Sequence, residues 1–192
     1  MQIVVVNHLT LDGVMQGPGR ADEDTRGGFT QGGWAAARTD DVMMAAVGRY
    51  LGDPTSELLL GRRSYDSMLS SWNDQGGPFK DSLNAKPKHV ASTDPDAQLA
   101  WPNSTLIHGD VPAAVAALKQ RSGGLLVMMG SGELIRSLLP HGLIDELLLM
   151  IHPVVLGSGH RLFRQNGTGA ELRLTDSQTT SSGVILATYV PA

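Results

Sequence analysis

Leu125-Leu126-Val127-Met128-Met129-Gly130-Ser131-Gly132-Glu133-Leu134 is the stretch that decides how this 192-residue chain is read. Its first five residues are apolar without interruption. A strand wetted on one side alternates apolar with polar residues. An unbroken run therefore predicts a strand covered on both faces, as in a parallel sheet flanked by helices. The glycines break the strand, and residues 133–139 then read as a helix that Pro140-His141-Gly142 stops. Strand, Gly turn and helix in direct succession are the building unit of α/β folds.

The same unit recurs outward from this stretch. Upstream, Asp110 caps a predicted helix over 111–119, with Pro112 in its first turn where a missing N–H costs nothing. Strands are predicted at 3–6, 57–61, 87–92 and 105–107, helices at 40–51 and 64–69, and a turn at 73–78. Downstream, 144–152 reads as a strand and 153–159 as a Gly-bearing loop, and 171–190 alternates about Ser181-Ser182-Gly183 as a hairpin would. The order predicts one α/β domain over residues 1–192: a mostly parallel central sheet, helices on both faces, and an antiparallel C-terminal hairpin.

Composition narrows the function classes. Lys and Arg number 15 against 19 Asp and Glu, a net charge of −4, and no basic stripe of the kind nucleic acids require is visible. Cysteine is absent, which removes disulfides, thiolate catalysis and zinc ribbons, and fits a cytoplasmic location. The six histidines have no ligand spacing, so no metal is expected. The N-terminus lacks a basic leader, and no apolar run, 147–151 included, is long enough to span a membrane. The expected partner is a small molecule.

Parallel sheets place ligands at the carboxyl ends of their strands. Three such ends carry glycine: Leu60-Gly61-Arg62-Arg63-Ser64-Tyr65, Gly130-Ser131-Gly132-Glu133-Leu134, and Pro153-Val154-Val155-Leu156-Gly157-Ser158-Gly159. Glycine allows close approach of backbone to ligand, a helix N-terminus offers free N–H groups, and the Arg pair suits a phosphate. Each glycine also fits a plain tight turn. Residues 12–33 hold seven glycines without any period of 2 or 3.6, the composition of a binding loop or lid, with His8 at its entry.

Together these motifs resemble the dihydrofolate-reductase-like superfamily. Within it, the chain is most similar to the reductase family typified by the C-terminal half of the bifunctional riboflavin-biosynthesis deaminase-reductase, in the form of a stand-alone bacterial protein. Thr10-Leu11-Asp12-Gly13 resembles the family's Ser-Leu-Asp-Gly, Leu60 to Tyr65 its Gly-Arg-x-Thr-Tyr, and Gly130 to Leu134 its Gly-Gly-x-x-Leu. The most specific block is Leu143-Ile144-Asp145-Glu146-Leu147, then Pro153 to Gly159, then Leu162-Phe163.

The resemblance implies a three-layer reductase fold and an NADPH-dependent oxidoreductase that forms a homodimer. Its substrate would be a small heterocycle of pterin or pyrimidine type, as for 5-amino-6-(5-phosphoribosylamino)uracil reductases or dihydrofolate reductases. Gly61, Arg62, Arg63 and Ser92 would hold the adenosine 2′-phosphate region, and Gly130, Ser131, Gly132, Glu133 and Leu134 the pyrophosphate. His8, Thr10, Trp34, Val155 and Gly157 would line the substrate site. Asp40 is the expected proton donor and Asp12 its rival, although Asp40 also suits a helix cap and Asp12 a turn brace. Val14 stands where the riboflavin-pathway enzyme carries a basic residue, and the Pro-Trp segment of dihydrofolate reductases is missing. The alternative is a nucleotide- or flavin-binding module that keeps the fold without reductase activity.

Overall fold

The computed structural model of the protein describes residues 1–192 except Ser122, Asn166 and Thr168. Its centre is a single sheet of eight strands. These are β1 (Gln2–Thr10), β2 (Ser56–Gly61), β3 (Lys88–Ala91), β4 (Ser104–Ile107), β5 (Leu125–Met129), β6 (Glu146–His152), β7 (Leu172–Thr179) and β8 (Ile185–Pro191), in the order β4-β3-β2-β5-β1-β6-β8-β7. The first six pair in parallel; β8 runs antiparallel to β6, and β7 antiparallel to β8. The mostly parallel sheet with an antiparallel C-terminal hairpin is the expected architecture.

Five α-helices cover it: α1 (Asp41–Leu51), α2 (Arg62–Gln75), α3 (Gly77–Ala85), α4 (Val111–Lys119) and α5 (Gly132–Leu138). Strand alternation sorts them into two layers. Val4 and Val6 of β1 pack with Leu58, Leu60, Val127, Leu148 and Met150 against Met43, Tyr65 and Leu83 of the first three helices. Ile3 and Val5 pack with Leu59, Leu126, Met128 and Leu147 against Val115, Leu134, Ile135 and Leu138 of the last two. Both faces of β5 are therefore buried, which is why its sequence carries no polar residue. The two layers follow from handedness. Right-handed crossovers that move toward β4 put their helices on one face, and those that move back toward β6 put theirs on the other.

Three boundaries differ from the sequence expectation. β1 continues through Asn7, His8, Leu9 and Thr10, because it pairs with β6 as far as Thr10 opposite His152. α2 runs to Gln75 where only 64–69 was expected, and α3 replaces most of the turn expected over 73–78. Gly76 (φ 69°) and Gly77 (φ 80°) do make a turn, but Pro78 sits in the first turn of the next helix, where its ring is tolerated.

Candidate active site

Two neighbouring strands diverge at their carboxyl ends. From β2 the chain enters α2 on one face; from β5 it enters α5 on the other. Such a divergence opens a crevice beyond the sheet edge. Asp40 and Asp110 cap α1 and α4, accepting from Met43 N and Ala113 N, but α2 and α5 have no side-chain cap. Gly132 N donates to Gly130 O at 3.1 Å; the leading amides of α2 and those after Gly132 in α5 are left to solvent or a ligand.

One side chain ties the crevice together. Ser131 Oγ accepts from Gly61 N at 2.9 Å and donates to Met129 O at 2.9 Å. Gly130 (φ 61°) donates its amide to Asn7 Oδ1 at 3.2 Å, which links the turn to β1. A Cβ on Gly132 would lie 2.5 Å from Met15 Sδ, so the segment after β1 rests on this turn. Glu133 pairs with Arg136 and Arg164, and Leu134 packs into the core beneath α5.

The arginines divide. Arg62 Nε donates to both oxygens of Asp66, at 3.0 and 2.8 Å, an i,i+4 pair that raises its pKa. The charge of Asp94 also acts on Arg62. Asp94 N in turn donates to Ser92 Oγ at 3.0 Å, so Arg62 faces the end of β3. Arg63 is exposed, with no ion-pair partner among the described residues.

The ends of β1 and β6 form a second group, on the α1 face. His8 Nδ1 lies 2.9 Å from His152 Nε2, and Trp34 meets the His152 ring edge-on at 5.2 Å and 85°. Burial, and then the charge of the neighbouring His152, draws the His8 pKa down to about 3. Burial, and then Arg38, draws that of His152 to about 4. Both rings are neutral at pH 7. Spacing along the chain does not reveal this pair; the available signal is parity, since Val4, Val6, His8 and Leu148, Met150, His152 share one face of the sheet.

Asp12, Thr10 and the third glycine loop form one bracket. Buried Thr10 donates its hydroxyl to Asp12 Oδ1 at 2.6 Å and accepts from Val14 N at 2.9 Å. Asp12 also accepts from Leu156 N (3.2 Å), Gly157 N (2.9 Å) and Arg161 (3.1 Å). Burial raises its pKa, but the bonds from Thr10, Leu156 and Gly157 outweigh this and bring it to about 2. An acid that strong holds no proton at pH 7, so Asp12 braces the loop. Val155, just ahead of these anchors, is largely exposed.

Asp40 is engaged at both oxygens. One accepts from Met43 N at 3.0 Å; the other accepts from Ser181 N at 3.1 Å and Ser181 Oγ at 2.9 Å. These bonds, Met43 first, lower its pKa. It joins α1 to the β7–β8 turn.

The glycine-rich segment 12–33 is an anchored structure. Buried Gln16 donates to Asp24 O and Arg26 O and accepts from His160 N, and its carbonyl takes Trp34 Nε1–H at 2.8 Å. A Cβ on Gly32 would lie 2.6 Å from the carbonyl oxygens of Arg20 and Ala21, so glycine serves close backbone contact there.

The RibD C-terminal domain family matches residues 2–186. The uncharacterised protein YyaP of Bacillus subtilis is 31% identical over 140 residues, 69% of this chain and 72% of YyaP. A putative riboflavin biosynthesis protein from Shewanella sp. PV-4 superposes with a TM-score of 0.70 at 21% identity, over 100% of this chain and 99% of that one. Dihydrofolate reductase from Enterococcus faecalis, solved with NADP(H), gives 0.59 at 14% identity over 99% and 96%. At these identities the structural likeness is one of fold. With a family match that spans nearly all of it and the sheet, crossovers and strand-end glycines described above, the chain belongs to the RibD C-terminal domain family.

Proposed function

We propose that the protein is an NADPH-dependent reductase of a small heterocycle of pterin or pyrimidine type. The observation that carries this reading is the crevice between β2 and β5, where two uncapped helices begin at glycines joined by the Ser131–Gly61 bond. The residues present fit a dinucleotide. The first amides of α2, the Ser131 amide and the α5 amides after Gly132 suit a pyrophosphate, while Gly130 N and Gly132 N are spent on holding the turn. Arg62, with Ser92, suits the adenosine 2′-phosphate. Its surface pair with Asp66 is worth only about 0.3–0.5 kcal/mol and yields readily to a phosphate.

When bound, the cofactor supplies the hydride. The chain's part is to orient. Asn7 ties the Gly130 turn to β1, one residue before His8, so cofactor crevice and histidine wall share a rigid base. Trp34, Thr10 and the Val155–Gly157 loop complete that wall.

The test is NADPH oxidation against pterins, pyrimidines, flavins and quinones, with NADPH binding measured separately. Turnover with a pterin or pyrimidine is expected; a chain that binds no NADPH refutes the reading. A second reading has an observation of its own. Every oxygen of Asp12 and Asp40 is already engaged, which leaves neither carboxylate free to deliver a proton. A binding module without turnover would hold NADPH or flavin and oxidise neither across the whole panel.

A further inference from the structure

We propose that His8 is the specificity-determining residue of the heterocycle site. It presents a fixed Nε2–H donor to a ring carbonyl, and His152 is the positioning residue that sets its tautomer. The inference rests on the reductase reading and adds the chemistry by which the substrate is chosen.

A single proton lies between His8 Nδ1 and His152 Nε2, 2.9 Å apart, because both rings are neutral. Two arrangements are open, and the far side of His152 decides between them. His152 is fully buried, and its Nδ1 has no hydrogen-bond partner among the described residues. If His8 donated, His152 would carry its own proton on that orphaned nitrogen. A buried N–H without an acceptor is rarer than a bare acceptor without a donor. Arg38 adds to the imbalance. Its guanidinium donates to Trp34 O at 2.8 Å, and its charge acts on His152, where it favours a lone pair over a proton. The proton therefore sits on His152 Nε2, His8 Nδ1 accepts it, and the proton of His8 falls on Nε2.

The assembly is rigid. Trp34 is held by its own bond to Gln16 O and stands against the His152 ring, so His152 cannot turn to exchange its nitrogens. His8 is only partly buried, and its Nε2 meets no hydrogen-bonding group among the described residues. It is the open end of the pair. A free histidine reads donors and acceptors alike by changing tautomer. This one is a donor only, and it matches a ring that places C=O against it and mismatches one that places NH₂ there.

Pterin and 2,4-diaminopteridine differ at one ring position by that exchange. Their affinities for the full chain saturated with NADPH, followed by fluorescence at pH 7.5, test the proposal. Pterin is expected to bind about tenfold tighter, the weight of one good hydrogen bond. His8→Phe keeps the ring and should bring the two affinities within about twofold. His152→Phe should narrow the gap and let His8 show both the Nδ1–H and the Nε2–H form in ring-nitrogen NMR, because nothing then fixes its tautomer. A preference for the diamino ring, a gap unchanged in His8→Phe, or failure of both rings to bind while NADPH binds would overturn the proposal and leave the reductase reading standing. Loss of NADPH binding would instead strike that reading. The tautomer is then still decided by ring-nitrogen NMR of the unliganded protein, where an Nδ1–H form of His8 overturns it.

Discussion

Ser131 Oγ stands 2.9 Å from the amide nitrogen of Gly61, so the ends of two parallel strands are joined by a side chain. The hydroxyl is buried and also donates to Met129 O. Ser131→Ala strands the Gly61 amide and should cost about 1–3 kcal/mol, read from urea unfolding midpoints. If the crevice holds the dinucleotide, NADPH affinity should fall with it. An unchanged midpoint and affinity would show that the bond holds nothing in place.

Cofactor choice should depend on Arg62. NADPH is expected to bind at least about tenfold tighter than NADH, a gap of about 1.4 kcal/mol. Arg62→Ala should erase most of that gap while NADH affinity stays put. Titration calorimetry with both cofactors decides the matter. Equal affinities in the unmutated protein would remove the assignment, as would a variant that weakens both cofactors alike.

Asp40 offers a clean separation of capping from catalysis. Asparagine caps about as well as aspartate, so Asp40→Asn should keep the Met43 bond, while Asp40→Ala should lose it and lower stability. The expected result is retained turnover in Asp40→Asn with a modest fall in melting temperature in Asp40→Ala. A sharp drop in turnover in Asp40→Asn, at constant NADPH affinity, would make it the proton donor instead.

Asp12 should show itself in acid. Its folded-state pKa, about 2, lies below the ordinary aspartate value of 3.8. Its contribution is therefore fully present above pH 4 and fades as the pH falls toward 2. Asp12→Asn should lower stability by on the order of 2 kcal/mol at pH 7 and by much less near pH 2. Denaturation midpoints at the two pH values test this; a deficit independent of pH would assign the loss to packing.

Assembly should follow from the free edge of the sheet. β7 is the outermost strand and is exposed on both faces except at Leu172, and Leu174 and Ile185 stand open beside it. An uncovered edge strand of eight residues invites pairing. We predict a symmetric homodimer across this hairpin, dissociated by Leu174→Lys. Sedimentation at micromolar concentration will distinguish it from a monomer.

The sheet and its crossovers were legible in the sequence because period and burial leave direct marks. β5 is apolar throughout since both its faces are covered, and Asp110 announces α4. The end of β1 was not legible. Asn7 and His8 look like the polar close of a strand, and only the distant partners Gly130 and His152 permit them inside one. α3 was hidden for a local reason: Gly76-Gly77-Pro78 has the chemistry of a turn, and Phe79 and Leu83 are its only strongly apolar anchors. The glycines of 12–33 suggested a binding loop or lid but not its anchors: Gln16 and the tight approach of Gly32 to residue 20 and 21 carbonyls hold the segment in place. Such contacts depend on a tertiary fit that composition does not encode.

Because β1, β6 and β8 separate β7 from the crevice edge at β5, selection can act on the two ends of the sheet independently. If the outer hairpin carries the predicted homodimer and the strand-end glycines hold the proposed cofactor, drift in the one alters who the protein meets and drift in the other what it consumes. A lineage could thus gain or lose a partner subunit without rebuilding its chemistry, and could be recruited to a new metabolite without dissolving its assembly.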